Sequence, residues 1–467
     1  MKKSHFLSFA LCAMLAGTAT MQAQDSYVHP YTPEDGYIVP DDEQVLRKLD
    51  QWQDLKFGVL FHWGIYAVPG IVESWSLVSE DEDFENKPRI ERDMPYDDYK
   101  KWYFGLNEQF NPVKFDPEKW ADIMADAGMK YMVFTTKHHD GFCMFDSKYT
   151  DYSIAKGPFA DNPRSNVAKE VFDAFRAKDF MIGAYFSKPD WHCPWYWHPR
   201  YATPDRNPNY NTKRHPDWWK KYVEFTQNQL AELTTDYGHI DILWLDGGQI
   251  NGHQIGLDDV LKDARQRQPG LISVDRACRN EFENYQTPEC TIPPKQRNVP
   301  WETNMPLDEW GWHYEHNNKS TAQVIAMLTE VVAKGGNFLL GIGPSPEGEI
   351  EEGAQVILHE VGQWLRKYGK AIYGTRNAKH YNDGQVWFNA SKDGKTLYAV
   401  YAYDEKEGQL PATIEWTENI PKGRLTLVST GKSVKYKVDG NKVTVTVPKG
   451  LPAESFALAF KAQKTRE

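Results

Sequence analysis

Six short, nearly unbroken apolar runs, at residues 57–62, 131–136, 181–186, 240–245, 271–274 and 338–342, alternate with stretches of helical signature. Continuous apolar character over so few residues describes strands buried on both faces, as in parallel sheets. The helices between them carry their own punctuation. Asp116-Pro117-Glu118 opens one with a capping aspartate and a proline in the first turn, and Gly128 closes it. Further helices are expected from Ser165 to about Lys178, and over 215–237, 320–333 and 352–368. In the 215–237 segment Trp218, Tyr222, Phe225 and Leu233 recur near helical spacing. Strand–helix units repeated from about residue 45 to 370 predict a distorted (β/α)8-type barrel. An open doubly wound sheet is the rival, but no glycine-rich dinucleotide loop follows the first strand.

Beyond residue 370 the pattern changes to short strands, at 386–388, 397–403, 425–428, 434–438, 443–447 and 456–460. Asp439-Gly440-Asn441 sits between two alternating runs and reads as a hairpin turn. A length of 467 residues exceeds what one core supports. The division that follows is a catalytic-type barrel over 24–370 and a C-terminal β-sandwich over 371–467, behind a leader at 1–23. The leader has Lys2 and Lys3 ahead of an apolar stretch at 6–16, too short to span a bilayer, and small residues leading to Ala23. It predicts export to the periplasm or beyond, with release rather than anchoring, because Cys12 lacks the preceding small residues of a lipoprotein site. No later run is long and apolar enough for a transmembrane helix. Cys143, Cys193, Cys278 and Cys290 show no CxxC spacing and are expected as free buried thiols.

A formal charge of −11 argues against nucleic acid and against an anionic membrane surface as partners. Aromatic residues reach 14%, with 17 Trp and 25 Tyr, a surplus that suits stacking of flat rings on a ligand. The acidic run at 79–91 reads as a solvated loop. Serine-esterase, P-loop and zincin signatures are absent from the sequence.

Barrel active sites form at the carboxyl ends of the strands, so polar residues should collect just after each apolar run. They do. The first run ends in His62-Trp63-Gly64 and the second in Lys137-His138-His139-Asp140-Gly141. The third yields Tyr185, Ser187, Asp190 and Trp191; the fourth Asp246-Gly247-Gly248; the fifth Asp275-Arg276. Tyr285 to Glu289 and Trp301-Glu302 follow. Asp246 is the sharpest candidate: a partly desolvated carboxylate at the barrel mouth, with two glycines that admit a ligand closely. The bland alternative is a helix-capping aspartate. A nucleophilic carboxylate needs a second carboxyl group nearby as acid and base. Glu289 and Glu302 are the candidates, each also readable as a structural hydrogen-bonding glutamate. His138-His139 would point to opposite faces if both lay on a strand, but just past a strand end both can reach the mouth, and without a convergent ligand set they fit sugar hydroxyls better than a metal. The Trp191–Trp197 loop reads either as a stacking surface or as a loop pinned by buried aromatics.

Taken together, Phe61-His62-Trp63-Gly64, Lys137-His138-His139-Asp140-Gly141-Phe142, the stretch 185–191, the stretch 244–247 and the stretch 337–343 resemble the α-L-fucosidases of glycoside hydrolase family 29. The likeness spans about residues 45–370, and that family also carries a β-sandwich behind its barrel. It implies a retaining exo-hydrolase acting on fucosylated oligosaccharides or glycoconjugates, without metal or organic cofactor. Asp246 resembles the family's nucleophile, and Glu289 its acid/base, with Glu302 the alternative. His62, His138, His139, Tyr185 and Arg276 resemble the residues that grip the fucose. Trp75 and Trp310 resemble aromatic walls, the latter facing the sugar's methyl group. One departure stands out: some members place a glutamate directly before the tryptophan matching Trp75, where this chain reads Glu73-Ser74-Trp75. A non-catalytic fucose-binding protein on the same scaffold and a glycosidase for another sugar, such as an α-galactoside, are the competing readings.

Overall fold

The apolar runs fold as parallel strands. A computed structural model describes residues 36–78 and 94–462, so the leader and the acidic run at 79–91 lie outside the described residues. The strands are β1 (Phe57–Phe61), β2 (Tyr131–Lys137), β3 (Met181–Ser187), β4 (Ile242–Asp246), β5 (Ile272–Asp275), β6 (Glu302–Pro306) and β7 (Asn337–Ile342), in the order β5-β4-β3-β2-β1-β7-β6. Every pairing is parallel. The edges β5 and β6 are joined by an irregular eighth stretch. Asn284 N donates to Ser273 O on β5 at 3.0 Å, while Gln286 and Glu289 bridge in parallel to Trp301 and Asn304. The barrel is therefore closed but distorted at this one seam.

The continuity of the apolar runs has a simple cause. Phe57, Val59 and Phe61 pack outward against helices, whereas Leu60 points into the barrel with Tyr131, Val133, Tyr185 and Trp244. Both faces are dry, so the alternation of strand side chains leaves no polar imprint. Strand β6 escaped the sequence reading because Glu-Thr-Asn-Met-Pro is not an apolar run. Its Glu302 is fully buried and accepts from Tyr131 Oη at 2.7 Å and Trp244 Nε1 at 3.2 Å.

Helices α1 (Glu43–Leu55), α2 (Tyr96–Phe104), α3 (Pro117–Asp126), α4 (Val167–Arg176), α5 (Pro216–Asp236), α6 (Leu257–Arg267), α7 (Thr321–Ala333) and α8 (Glu352–Tyr368) accompany the strands. The start signal of α3 works as expected: Asp116 Oδ1 accepts from Lys119 N at 3.0 Å, with Pro117 as first residue. At α7, Ser320 and Gln323 cap one another reciprocally.

Behind α8 come β8 (Thr375–Asp383), β9 (Val386–Ser391), β10 (Leu397–Tyr401), β11 (Thr413–Thr417), β12 (Thr426–Leu427), β13 (Tyr436–Asp439), β14 (Lys442–Thr446) and β15 (Phe456–Phe460). They form a five-stranded sheet, β12-β15-β10-β9-β8, and a three-stranded sheet, β11-β14-β13. Trp416 of the smaller sheet packs on Phe388 and Phe460 of the larger one, with ring centroids 5.7 and 6.0 Å away. The hairpin at Gly440-Asn441 joins β13 to β14 with Asp439 opposite Lys442. Strands β8 and β11 were not expected; β11 nevertheless alternates cleanly, burying Ile414 and Trp416 between exposed threonines and Glu415. The sheets dock on the barrel through Trp364 Nε1 to Ser455 O (2.7 Å) and Asn389 Nδ2 to Ala371 O (2.8 Å). The four cysteines of the described residues are all free; Cys143 and Cys193 are buried as expected, whereas Cys278 is half-buried and Cys290 is exposed.

Candidate active site

Because β1 to β5 run in parallel, their carboxyl ends meet at one mouth, and Asp246, the last residue of β4, lies at its centre. Its carboxylate is held from three sides. Tyr185 Oη donates to Oδ2 at 2.6 Å; Arg276 Nε and Gly247 N donate to Oδ1 at 2.8 and 2.7 Å. Gly247 has φ +85°, and a Cβ there would fall 2.1 Å from Pro189 Cδ, so only glycine lets this amide turn back onto the carboxylate. Burial by itself would raise the Asp246 pKa. The Arg276 charge and the hydrogen bonds from Tyr185 and Arg276 override it, leaving the carboxyl well below the usual range. Asp246 is thus an ionised group that the fold almost completely buries. It is not a helix cap.

Arg276, just after β5, spans two carboxylates: its Nη1 also donates to Glu289 Oε2 at 2.7 Å. Glu289 reaches the mouth on the irregular stretch that closes the barrel. Glu302 does not. As the first residue of β6 it enters the barrel interior at the strand's amino end, under Tyr131 and Trp244, which corrects its expected place at the mouth. Burial pushes its pKa up to about 7.

The histidine pair lies just past a strand end, and both rings reach the mouth. His138 and His139 follow the end of β2, where strand alternation no longer applies, and their ring centroids are 4.3 Å apart on the same side. His138 Nδ1 lies 2.6 Å from Ser74 Oγ, and His139 Nδ1 lies 2.6 Å from Ser187 Oγ. Since the Ser187 hydroxyl donates to Pro189 O at 2.6 Å, His139 must supply the proton from Nδ1. Its Nε2 then faces Asp246 Oδ2, 3.8 Å away, as an unprotonated acceptor. Burial drives the His139 pKa well down and that of His62 to about 4, so both rings are neutral.

The residue that sequence reasoning left aside is Glu73. Its Oε1 lies 3.4 Å from His62 Nε2 and 3.5 Å from His138 Nε2, while Oε2 accepts from Trp75 Nε1 at 2.8 Å. The signal was its spacing, two residues before Trp75. The intervening Ser74 turns inward to His138 and lets Glu73 reach the pocket. His62, Glu73 and His138 present three donor atoms within 4.8 Å of one another, a set that could hold either a cation or a sugar hydroxyl.

Aromatic rings enclose this polar centre. Trp75 lies 4.6 Å from the His139 ring and 5.6 Å from Trp191, with the Arg206 guanidinium 3.6 Å above its face. Trp310, on the turn after β6, stands 5.3 Å from His62. Trp191 stacks on Trp197 at 4.9 Å, and both are buried, so most of the aromatic loop after β3 is packing that backs Trp75 and His139. Buried Lys137 and Asp190 support it: Lys137 Nζ donates to Asp190 Oδ2 at 2.9 Å, and Asp190 Oδ1 accepts from Cys193 N at 2.8 Å.

Comparisons with known proteins agree on one family. The family model described as Alpha-L-fucosidase matches residues 26–370. Human plasma alpha-L-fucosidase is 28% identical over 393 residues, 78% of each chain. Alpha-L-fucosidase isoenzyme 1 from Paenibacillus thiaminolyticus superposes with a TM-score of 0.74 at 29% identity, covering 90% of this chain and all of that one. The alpha-fucosidase of Thermotoga maritima, solved in complex with a mechanism-based inhibitor, gives 0.71 at 27% identity, covering 91% of this chain and 100% of that one. The chain belongs to the α-L-fucosidase family, glycoside hydrolase family 29.

Proposed function

We propose that this family member, a glycoside hydrolase, removes terminal α-linked L-fucose from glycans by double displacement, with Asp246 as nucleophile and Glu289 as general acid/base. The observation that carries the reading is the state of Asp246: ionised, buried at the mouth, and tied by Arg276 to a second carboxylate. An Asp246 oxygen attacks the anomeric carbon as the bond to the leaving oxygen breaks. Glu289 gives its proton to that oxygen, forming a covalent fucosyl-enzyme. Glu289 then takes a proton from water, whose oxygen attacks the same carbon and returns Asp246 as a carboxylate. Its ion pair with Arg276 must be exchanged for the leaving oxygen as substrate enters, so proton donation is coupled to occupancy.

His62, Glu73, His138 and His139 supply the donors and acceptors that an uncharged sugar requires, with Arg276 adding a charged donor. The neutral state of His62 and His139 lets each ring accept as well as donate. Trp75 and Trp310 offer apolar faces, and Trp310 suits the sugar's methyl group. The leader predicts export, which fits scavenging of external fucosylated glycans. Among the described residues, no helix is long and apolar enough to cross a membrane.

The test is hydrolysis of p-nitrophenyl α-L-fucoside by wild type and Asp246→Asn, with the matching α-galactoside as control. Fucoside turnover that falls on the order of 10³-fold or more in the variant supports both substrate and nucleophile. Sugar binding without turnover would favour a fucose-binding protein, and faster galactoside cleavage would move the substrate class. A variant that retains most activity overturns the nucleophile.

A further inference from the structure

The turn between β6 and α7 gathers a second cluster outside the sugar pocket. Asp308 Oδ2 lies 2.7 Å from His313 Nε2 and 3.3 Å from His316 Nδ1, and it also accepts from Asn317 N at 3.0 Å. Three donors thus converge on one carboxylate oxygen, which offers about two lone-pair positions. Two imidazoles sharing that oxygen through their own protons are over-crowded. Stripped of those protons, the same two nitrogens and the oxygen make a histidine–histidine–aspartate donor set, with all three atoms within 4.8 Å of one another. A tetrahedral zinc-class ion with bonds of about 2.0–2.2 Å needs its donors roughly 3.3–3.5 Å apart, so small side-chain movements suffice. A cavity of about 30 Å³ opens beside them, lined by Asp308, His313 and His316 together with Gly341 and Glu351. It has room for a water molecule in a fourth coordination position.

From this geometry we infer that Asp308, His313 and His316 form a binding site for a divalent transition-metal ion of the zinc class. The ion is structural. The turn that holds it carries Trp310, and it is fastened to the segment bearing Glu73 and Trp75: Val72 N donates to Trp312 O at 3.3 Å, and Tyr314 Oη to Val68 O at 3.0 Å. Binding there ties together two walls of the sugar pocket without touching the reacting atoms.

The experiment is calorimetric titration of the full, tag-free, chelator-stripped chain with zinc chloride, beside a His313→Ala/His316→Ala variant. Cobalt(II) serves as a second, spectroscopic probe on the wild type. The expected result is one zinc ion per chain, a visible cobalt spectrum of tetrahedral intensity, a higher melting temperature with zinc, and affinity reduced about 100-fold or more in the variant. No stoichiometric uptake by the wild type, or equal affinity in the variant, overturns the site. Should the double variant fail to fold, the cobalt spectrum decides: octahedral weak absorption refutes the inference. Because no readout is fucoside hydrolysis, this test fails or succeeds independently of the proposed reaction.

Discussion

Replacing Tyr185 by phenylalanine removes one of the three hydrogen bonds on Asp246 and leaves its other two, from Gly247 N and Arg276 Nε, in place. The lost bond is short, at 2.6 Å, and is made to an ionised acceptor. Bonds of that kind contribute about 1.5–3 kcal/mol, which corresponds to roughly a 10- to 150-fold fall in kcat/KM for p-nitrophenyl α-L-fucoside. The ring of Tyr185 stacks on Trp244 at 5.3 Å, so phenylalanine keeps the packing and isolates the hydroxyl. A second signature separates this from a general loss of fold. The hydroxyl stabilises the charged carboxylate, so its removal must raise the Asp246 pKa and move the acidic limb of the kcat/KM profile to higher pH. Stopped-flow rates carried from well below the ordinary Asp value of about 3.9 up to about pH 8 would measure both, because the wild-type Asp246 limb lies under that value. A variant within twofold of wild type, or a 10³-fold loss with an unmoved acidic limb, would refute the idea that Tyr185 acts through the charge of Asp246.

Two further outcomes follow from the other carboxyl groups. Glu289→Gln should spare the first step on an aryl fucoside, whose leaving group needs little protonation, and slow the second; added azide should restore turnover and yield α-fucosyl azide, whereas azide without effect would remove Glu289 from the acid/base role. Glu302→Gln tests the barrel interior. The Glu302 pKa is raised from its ordinary value of 4.5 to about 7 by burial, so the folded state holds the proton more tightly than the unfolded one. That contribution is complete below about pH 4.5 and is lost as pH rises through 7, amounting to about 3 kcal/mol. Denaturant midpoints at pH 5 and pH 8 should therefore differ more in wild type than in the variant, and an unchanged difference would disprove it.

The sequence determined the barrel because its strands are buried on both faces and announce themselves as apolar runs, and because parallel strands must deliver their following residues to one end. The placement of His62, His138, Tyr185, Asp246 and Arg276 near the mouth was legible for that reason, whereas the roles of the four besides Asp246 came from the family resemblance. The tertiary structure decided everything that depends on which residues meet across the mouth. Which of Glu289 and Glu302 lies at the mouth turned on strand register: one ends up beside Arg276, while the other opens β6 and points into the interior. Glu73 became part of the site only because Ser74 bonds His138, a residue 64 positions along the chain. The polar strand β6 has no apolar signature, since Tyr131 and Trp244 satisfy its buried glutamate from other strands. Local periodicity records how each residue is solvated, but convergence of residues far apart in the chain is fixed by register and by the closure of the barrel.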